Sequence, residues 1–290
     1  MFNLAHIVTL FSIPVLCFPA YGQIVDSLQL YGTSLDVDVY GNIFVVSSES
    51  DLLTFFSPRE REQIRQIGGQ GWGNEEFDNP SGIWSRNGID IFVADYGNHR
   101  IQKYDRTLTY AATLYTREDE DPAKRFGYPT DIALSRLGDL FICDSENARI
   151  LKINRSSQVD RSFGGFDAGQ GRLYAPRQVE IGSSDFLYVL DKGRIMVFDT
   201  FGNFIRELGS GLFNKPSCIF ADKDQILVLD DDLLYQFDAN ERPSSPVNIR
   251  ELSEGRISGE DISSLVFSGS ALYTLTPRGI FLWKLPARPE

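Results

Sequence analysis

Short apolar runs alternate with polar and glycine-bearing turns along most of the chain, and they are too brief for helices. Residues 43–46, 90–94, 139–143, 186–190, 225–229 and 271–275 are mostly apolar and β-branched or aromatic, bounded by Gly, Asn, Asp or Ser. Such runs read as strands with little exposed surface. A second set at 101–104, 150–153, 195–198, 233–237 and 280–283 follows the first at short distance. Gly41-Asn42, Asn87-Gly88, Leu137-Gly138 and Phe201-Gly202-Asn203 supply residues that tolerate positive φ where paired strands reverse.

The runs are copies of one unit. Asn79-Pro80-Ser81-Gly82-Ile83, then Ile91-Phe92-Val93-Ala94-Asp95, then Asn98-His99-Arg100-Ile101 is matched by Tyr128-Pro129-Thr130-Asp131-Ile132, Leu140-Phe141-Ile142-Cys143-Asp144 and Asn147-Ala148-Arg149-Ile150. Alignment on Val37, Ile83, Ile132, Val179, Ile219 and Leu265 gives six copies, spaced by roughly 40 to 50 residues. A short-strand repeat of that length is the pattern of propeller blades, so the expected fold class is all-β, a six-bladed β-propeller. The last copy stops after three strands, near Leu285-Pro286. The segment from Ile24 to Gly32 is similar to Phe204-Ile205-Arg206-Glu207-Leu208-Gly209, a fourth strand. The N-terminal strand is therefore expected to close the last blade and remove an exposed edge. Gly68-Gly69-Gln70-Gly71-Trp72-Gly73 and Gly164-Gly165-Phe166 read as crossovers between blades, with no helix behind them to make a phosphate cradle.

Composition narrows the setting. The 290 residues are 42% hydrophobic and 12% aromatic, which supports a real core and strand-rich structure, here a single domain over 23–290. Residues 4–18 are almost uninterruptedly apolar and Ala20-Tyr21-Gly22 offers small residues for a peptidase, so 1–22 is expected to be a cleaved signal peptide. An uncleaved anchor is the alternative, since Met1 to Ala5 carries no Lys or Arg, and the bulky Leu16 before Cys17 argues against a lipoprotein. The expected location is secreted or periplasmic, with no membrane span after cleavage. Cys143 and Cys218 fall at different points of their repeats and are expected as buried free thiols. A net charge of −12 repels phosphate backbones, so no nucleic-acid partner is expected, and Arg59, Arg61 and Arg65 are interleaved with Glu60 and Glu62.

The segment Ala94-Asp95-Tyr96-Gly97-Asn98-His99-Arg100-Ile101-Gln102-Lys103-Tyr104 resembles the repeat of the NHL family, named for an Asn-His-Leu triplet; Arg100 takes the third place here. Asp144-Ser145-Glu146-Asn147-Ala148-Arg149-Ile150 is a second copy. With the crossovers, the resemblance spans about residues 24–286 and is strongest between 68 and 210. Proteins of this shape include interaction platforms, RNA binders, sensor domains and some enzymes, so the resemblance specifies fold more than activity. It implies an exported binding or scaffolding module with a protein, peptide or glycan partner, for which Trp72, Phe77, Trp84, Tyr96, Tyr128 and Tyr174 are candidate anchors if they do not pack between blades. Amidating lyases of similar fold hold zinc with several histidines; this sequence has His6 in the signal segment and His99. The enzyme alternative is a calcium-dependent hydrolase of the lactonase type.

Two sets of polar residues are candidates for chemistry or structure. Asp95, Asn98 and Arg100, with Asp144, Asn147 and Arg149, are expected to satisfy backbone groups at the turn between second and third strands. The residue before each aligned hydrophobe is expected at the mouth of the axis, giving Asp36, Gly82, Asp131, Gln178, Cys218 and Ser264. Oxygen donors there suit a hard cation, so no cofactor is required but Ca²⁺ held by Asp36 and Asp131 is one occupant, with ordered water the plainer one. The neighbouring Arg177 could bind an anionic group. The acidic runs 118–121 and 230–232 lack calcium-loop spacing, and no G-x-S-x-G elbow occurs.

Overall fold

The computed structural model describes residues 23–59, 64–182, 185–222, 225–238 and 240–285. The expected signal peptide with Cys17, and Glu60, Arg61 and Glu62, lie outside the described residues. Within them, six four-stranded antiparallel sheets form six blades. Blade three shows how the sequence writes one: Pro129–Leu134, Leu140–Asp144, Arg149–Ile153 and Val159–Phe163 pair in chain order. Pro129 opens its first strand, where a missing N–H removes no interior ladder bond, and the register slips between Pro129 and Ile132. The same slip follows Pro80, Pro176 and Pro216. Leu140–Asp144 is buried along its whole length, because both of its faces meet protein.

The first strands of the six blades, Ser34–Val37, Pro80–Trp84, Pro129–Leu134, Pro176–Ile181, Pro216–Ala221 and Ser264–Ser268, touch their neighbours in an unbroken ring and so line the axis. Gln23–Leu28 pairs antiparallel with Gly279–Lys284 and completes blade six, as the terminal similarity predicts. Blade five departs from the repeat. Its outer strand is only Val247–Asn248, and the chain passes at once into the short helix Ile249–Leu252, whose Glu251 N–H is capped by Asn248 at 3.0 Å.

The core lies between blades. Phe44, Val46 and Leu53 of blade one meet Ile83, Ile91 and Val93 of blade two, and comparable clusters fill the other seams. Phe77, Phe126 and Leu173 each stand three residues before the proline of the next blade and are fully buried, pinning the crossovers inward. Burial of one such side chain contributes about 1.5–3 kcal/mol. Trp283, also buried, donates Nε1–H to Thr274 Oγ1 at 2.8 Å, so its indole is satisfied inside blade six. Cys143 and Cys218 are buried free thiols, as expected.

Candidate functional site

The repeat polar residues brace the blades, though at a different place from the turn they sit in. Asp95 Oδ1 accepts the Asp78 N–H at 2.8 Å, while its Oδ2 accepts from Asn98 at 3.0 Å and Arg100 Nε at 2.7 Å. Arg100 then donates to the carbonyls of Trp72, Gly73 and Glu76. The bonds therefore run to the incoming crossover, whose carbonyls have no strand partner, and not to the second-to-third hairpin. Blade three repeats the device with Asp144, Asn147 and Arg149, the last reaching Arg125 O, and blade four with Asp191 and Arg194. His99 joins blades two and three: its Nδ1 accepts the Tyr128 N–H at 3.1 Å. Partial burial, and then the Arg117 charge, lower its pKa.

Along the axis, the structure corrects the alignment in one blade. Gly82, Asp131, Gln178, Cys218 and Ser264 occupy one level, each opposite or beside the residue that precedes the end of the second strand, and in blade one that level belongs to Ser34 opposite Val46. Asp36 pairs with Phe44 as Trp84 pairs with Phe92 and Glu180 with Tyr188, so it lies two residues further along, level with Trp84 and Glu180. The upper level ties blade to blade. Asp131 Oδ2 accepts the Val179 N–H, Gln178 Oε1 the Ile219 N–H and Ser264 Oγ the Leu35 N–H, at 2.9, 2.9 and 3.2 Å. Blades two and three meet so closely here that a Cβ on Gly82 would stand 2.8 Å from Asp131 Oδ1. Arg177 is exposed beside this level.

At the lower level a cation is already present. Arg86, from the turn after the first strand of blade two, donates Nε–H to Asp36 Oδ1 at 3.2 Å, spans both Glu180 oxygens at 2.7 Å and reaches the Ala221 carbonyl at 2.9 Å. Its guanidinium also lies over the Phe220 ring, 4.7 Å from the centroid. Asp36 Oδ2 accepts the Ser85 N–H at 2.6 Å, so both of its oxygens are committed. One side chain thereby links blades one, two, four and five. Burial raises the pKa of Asp36 and lifts Glu180 to about 6, in both cases against the pull of Arg86. Asp131 is raised well above the usual carboxylate range by burial and then by the Glu180 charge. Burial opposes the charge on Arg86, but Glu180 and Asp36 outweigh it and hold its pKa above the ordinary value. Among the described residues, no group of three or more His, Cys, Asp or Glu side chains is placed to hold a metal.

Arg86 and Glu180 were not among the expected site residues, yet the repeat carries a signal for each. Ser85-Arg86 and Ser135-Arg136 recur at the end of the first strand, and Glu180 interrupts an apolar strand two residues after Gln178, on the same side of the pleat. Outside Arg86, a funnel of about 910 Å³ opens toward the turns between first and second strands, walled by Val37, Trp84, Leu134, Phe220 and Val266.

The opposite face carries the crossovers and the second-to-third hairpins. Of the candidate anchors, Phe77 and Trp84 are buried between blades, while Trp72, Tyr128 and Tyr174 are exposed. Tyr96 packs on Tyr128 with centroids 5.0 Å apart, and Trp72 meets Tyr115 edge-on at 5.6 Å. Phe166, from the crossover into blade four, is 76% exposed. The acidic run 230–232 is tied into this face by folding contacts: Asp230 accepts the Asn214 and Lys215 N–H groups, and Asp232 accepts the Gly259 N–H and pairs with Arg250.

Comparison with known proteins places the repeat. The NHL repeat model matches residues 126–153, which span the crossover into blade three and its first three strands. Protein brain tumor of Drosophila melanogaster is 28% identical over 138 residues, 46% of this chain and 13% of that protein. Human NHL repeat-containing protein 3 is 24% identical over 141 residues, 43% of this chain and 41% of its own length. The matched stretch is thus less than half of either relative. A gluconolactonase from Xanthomonas campestris shares the fold at a TM-score of 0.64 and 14% identity, covering 94% of this chain and 99% of that one. The six-sheet ring is thus a β-propeller that carries an NHL repeat in blade three and is similar in part to NHL-repeat proteins.

Proposed function

We propose that the protein is an exported binding or scaffolding module that engages a protein, peptide or glycan partner through its crossover face. The observation that carries this reading is the set of aromatic side chains left exposed there, Trp72, Tyr128 and Tyr174, on a frame whose polar repeat residues are spent on holding that frame rigid. Exposed aromatics on rigid loops make anchors at low entropic cost. Export is supported by the apolar run 4–18, and the expected location is secreted or periplasmic. The test compares extracts of the native host captured on the wild type and on a Trp72→Ser, Tyr128→Ser double variant of equal melting temperature. Specific partners lost from the variant support the reading, and identical capture profiles sink it.

A calcium-dependent hydrolase of the lactonase type is the second reading, favoured by the axial funnel and the gluconolactonase likeness. The residues present fit a calcium ion poorly, because Arg86 already neutralises Asp36 and Glu180 and Asp131 is bonded to blade four. Saturable calcium uptake, abolished by Asp131→Asn, together with lactone hydrolysis would select this reading over the binding module.

A further inference from the structure

On the crossover face around blade four, basic side chains gather on two exposed rings. Arg172 lies over the Phe166 ring at 4.2 Å and over the Tyr174 ring at 5.1 Å. Tyr174 is also approached by Lys192 at 5.8 Å and Arg194 at 5.0 Å, so three cations surround one exposed ring. Arg194 is spent on Asp191, which is buried. Arg172 and Lys192 have no carboxylate within ion-pair distance among the described residues, although the chain carries 40 acidic residues against 28 basic ones. A guanidinium stacked on a ring keeps its N–H edge free for a carboxylate. Beside Phe166, a groove of about 580 Å³ runs along the seam of blades three and four, lined by Phe163, Phe198, Phe204 and Arg149.

We propose that this rim docks an acidic peptide segment of a partner, with its carboxylates on Arg172 and Lys192 and an apolar side chain in the groove next to Phe166. The proposal rests on the binding-module reading and names its partner class. Charge complementarity favours a peptide over RNA. The unpaired cations are few and local, while a nucleic-acid backbone needs a track of phosphate contacts and would leave this patch for a surface of net charge −12. Asp167, next to Phe166, adds a repulsive boundary on the groove side.

The test is selection of random dodecapeptides displayed on phage against the full chain, with the enriched peptides synthesised and their binding measured by fluorescence anisotropy. Enriched sequences are expected to be net negative with at least one aromatic or large aliphatic residue. Their affinity should fall about five- to tenfold on Lys192→Glu, an exposed hairpin position, and on Arg172→Gln, and should weaken with added salt. Enriched peptides that are neutral or basic, or that bind both variants as they bind the wild type, overturn the patch and leave the binding module standing. Absence of any enriched peptide counts against both. Binding of a fluorescent single-stranded oligonucleotide that is lost in Lys192→Glu, with no acidic peptide enriched, replaces the peptide by nucleic acid and overturns the proposal.

Discussion

At Glu180 burial outweighs pairing. Burial lifts its pKa from 4.5 to about 6, and Arg86 only partly opposes this. A carboxyl whose pKa is higher folded than unfolded binds extra protons in the native state, so its stabilisation is full below about 4.5 and is lost as pH rises through about 6, up to about 2 kcal/mol. Glu180→Gln should therefore flatten the decline of melting temperature between pH 4.5 and 6, measured as a difference from wild type; an unchanged slope removes Glu180 as its source. His99 acts with the opposite sign. Its lowered pKa means that stability is full above the ordinary histidine range and is lost as pH falls through it, because protonation takes Nδ1 away from the Tyr128 N–H. Of these groups, Asp131 and Gln178 were readable as axial from the Pro-x-x-hydrophobe repeat. Arg86 left only the Ser-Arg recurrence as a trace, since it reaches the axis from a turn and its partners come from blades far apart in sequence.

At the scale of the element, the brace decides how a blade receives the chain. Arg100 satisfies three crossover carbonyls and one buried carboxylate with a single planar group, which a lysine ammonium cannot do from the same position. Arg100→Lys is expected to destabilise the fold by about 2–3 kcal/mol in urea titration, with the charge conserved. A loss below 0.5 kcal/mol or so would show that the guanidinium is dispensable. The strands themselves were legible because period, turn glycines and opening prolines agree. Two elements were not: the two-residue outer strand of blade five, whose sequence 239–248 has no apolar alternation, and the first strand of blade one, which lacks the proline that opens the first strands of blades two to five. Without that marker the aligned position in blade one falls two residues late, so Asp36 sits beside Arg86 and not level with Asp131.

The whole molecule depends on pairing its two ends. Leu28 lies opposite Ile280, Ser27 opposite Phe281 and Ile24 opposite Trp283, so the strand Gln23–Leu28 covers an otherwise open edge of blade six. Removal of residues 23–32 is expected to lower the melting temperature or drive association through the bared edge; a monomer of unchanged melting temperature would show that three strands suffice. The sixfold count was available from sequence because every blade repeats one pattern, whereas the basic and aromatic rim was not, because Phe166, Arg172, Tyr174 and Lys192 converge only after the crossover folds back. Closure by borrowed strand also sets an order of events in synthesis. Gln23–Leu28 has no partner until Gly279–Lys284 has been made, so the ring locks only once its sixth blade is present.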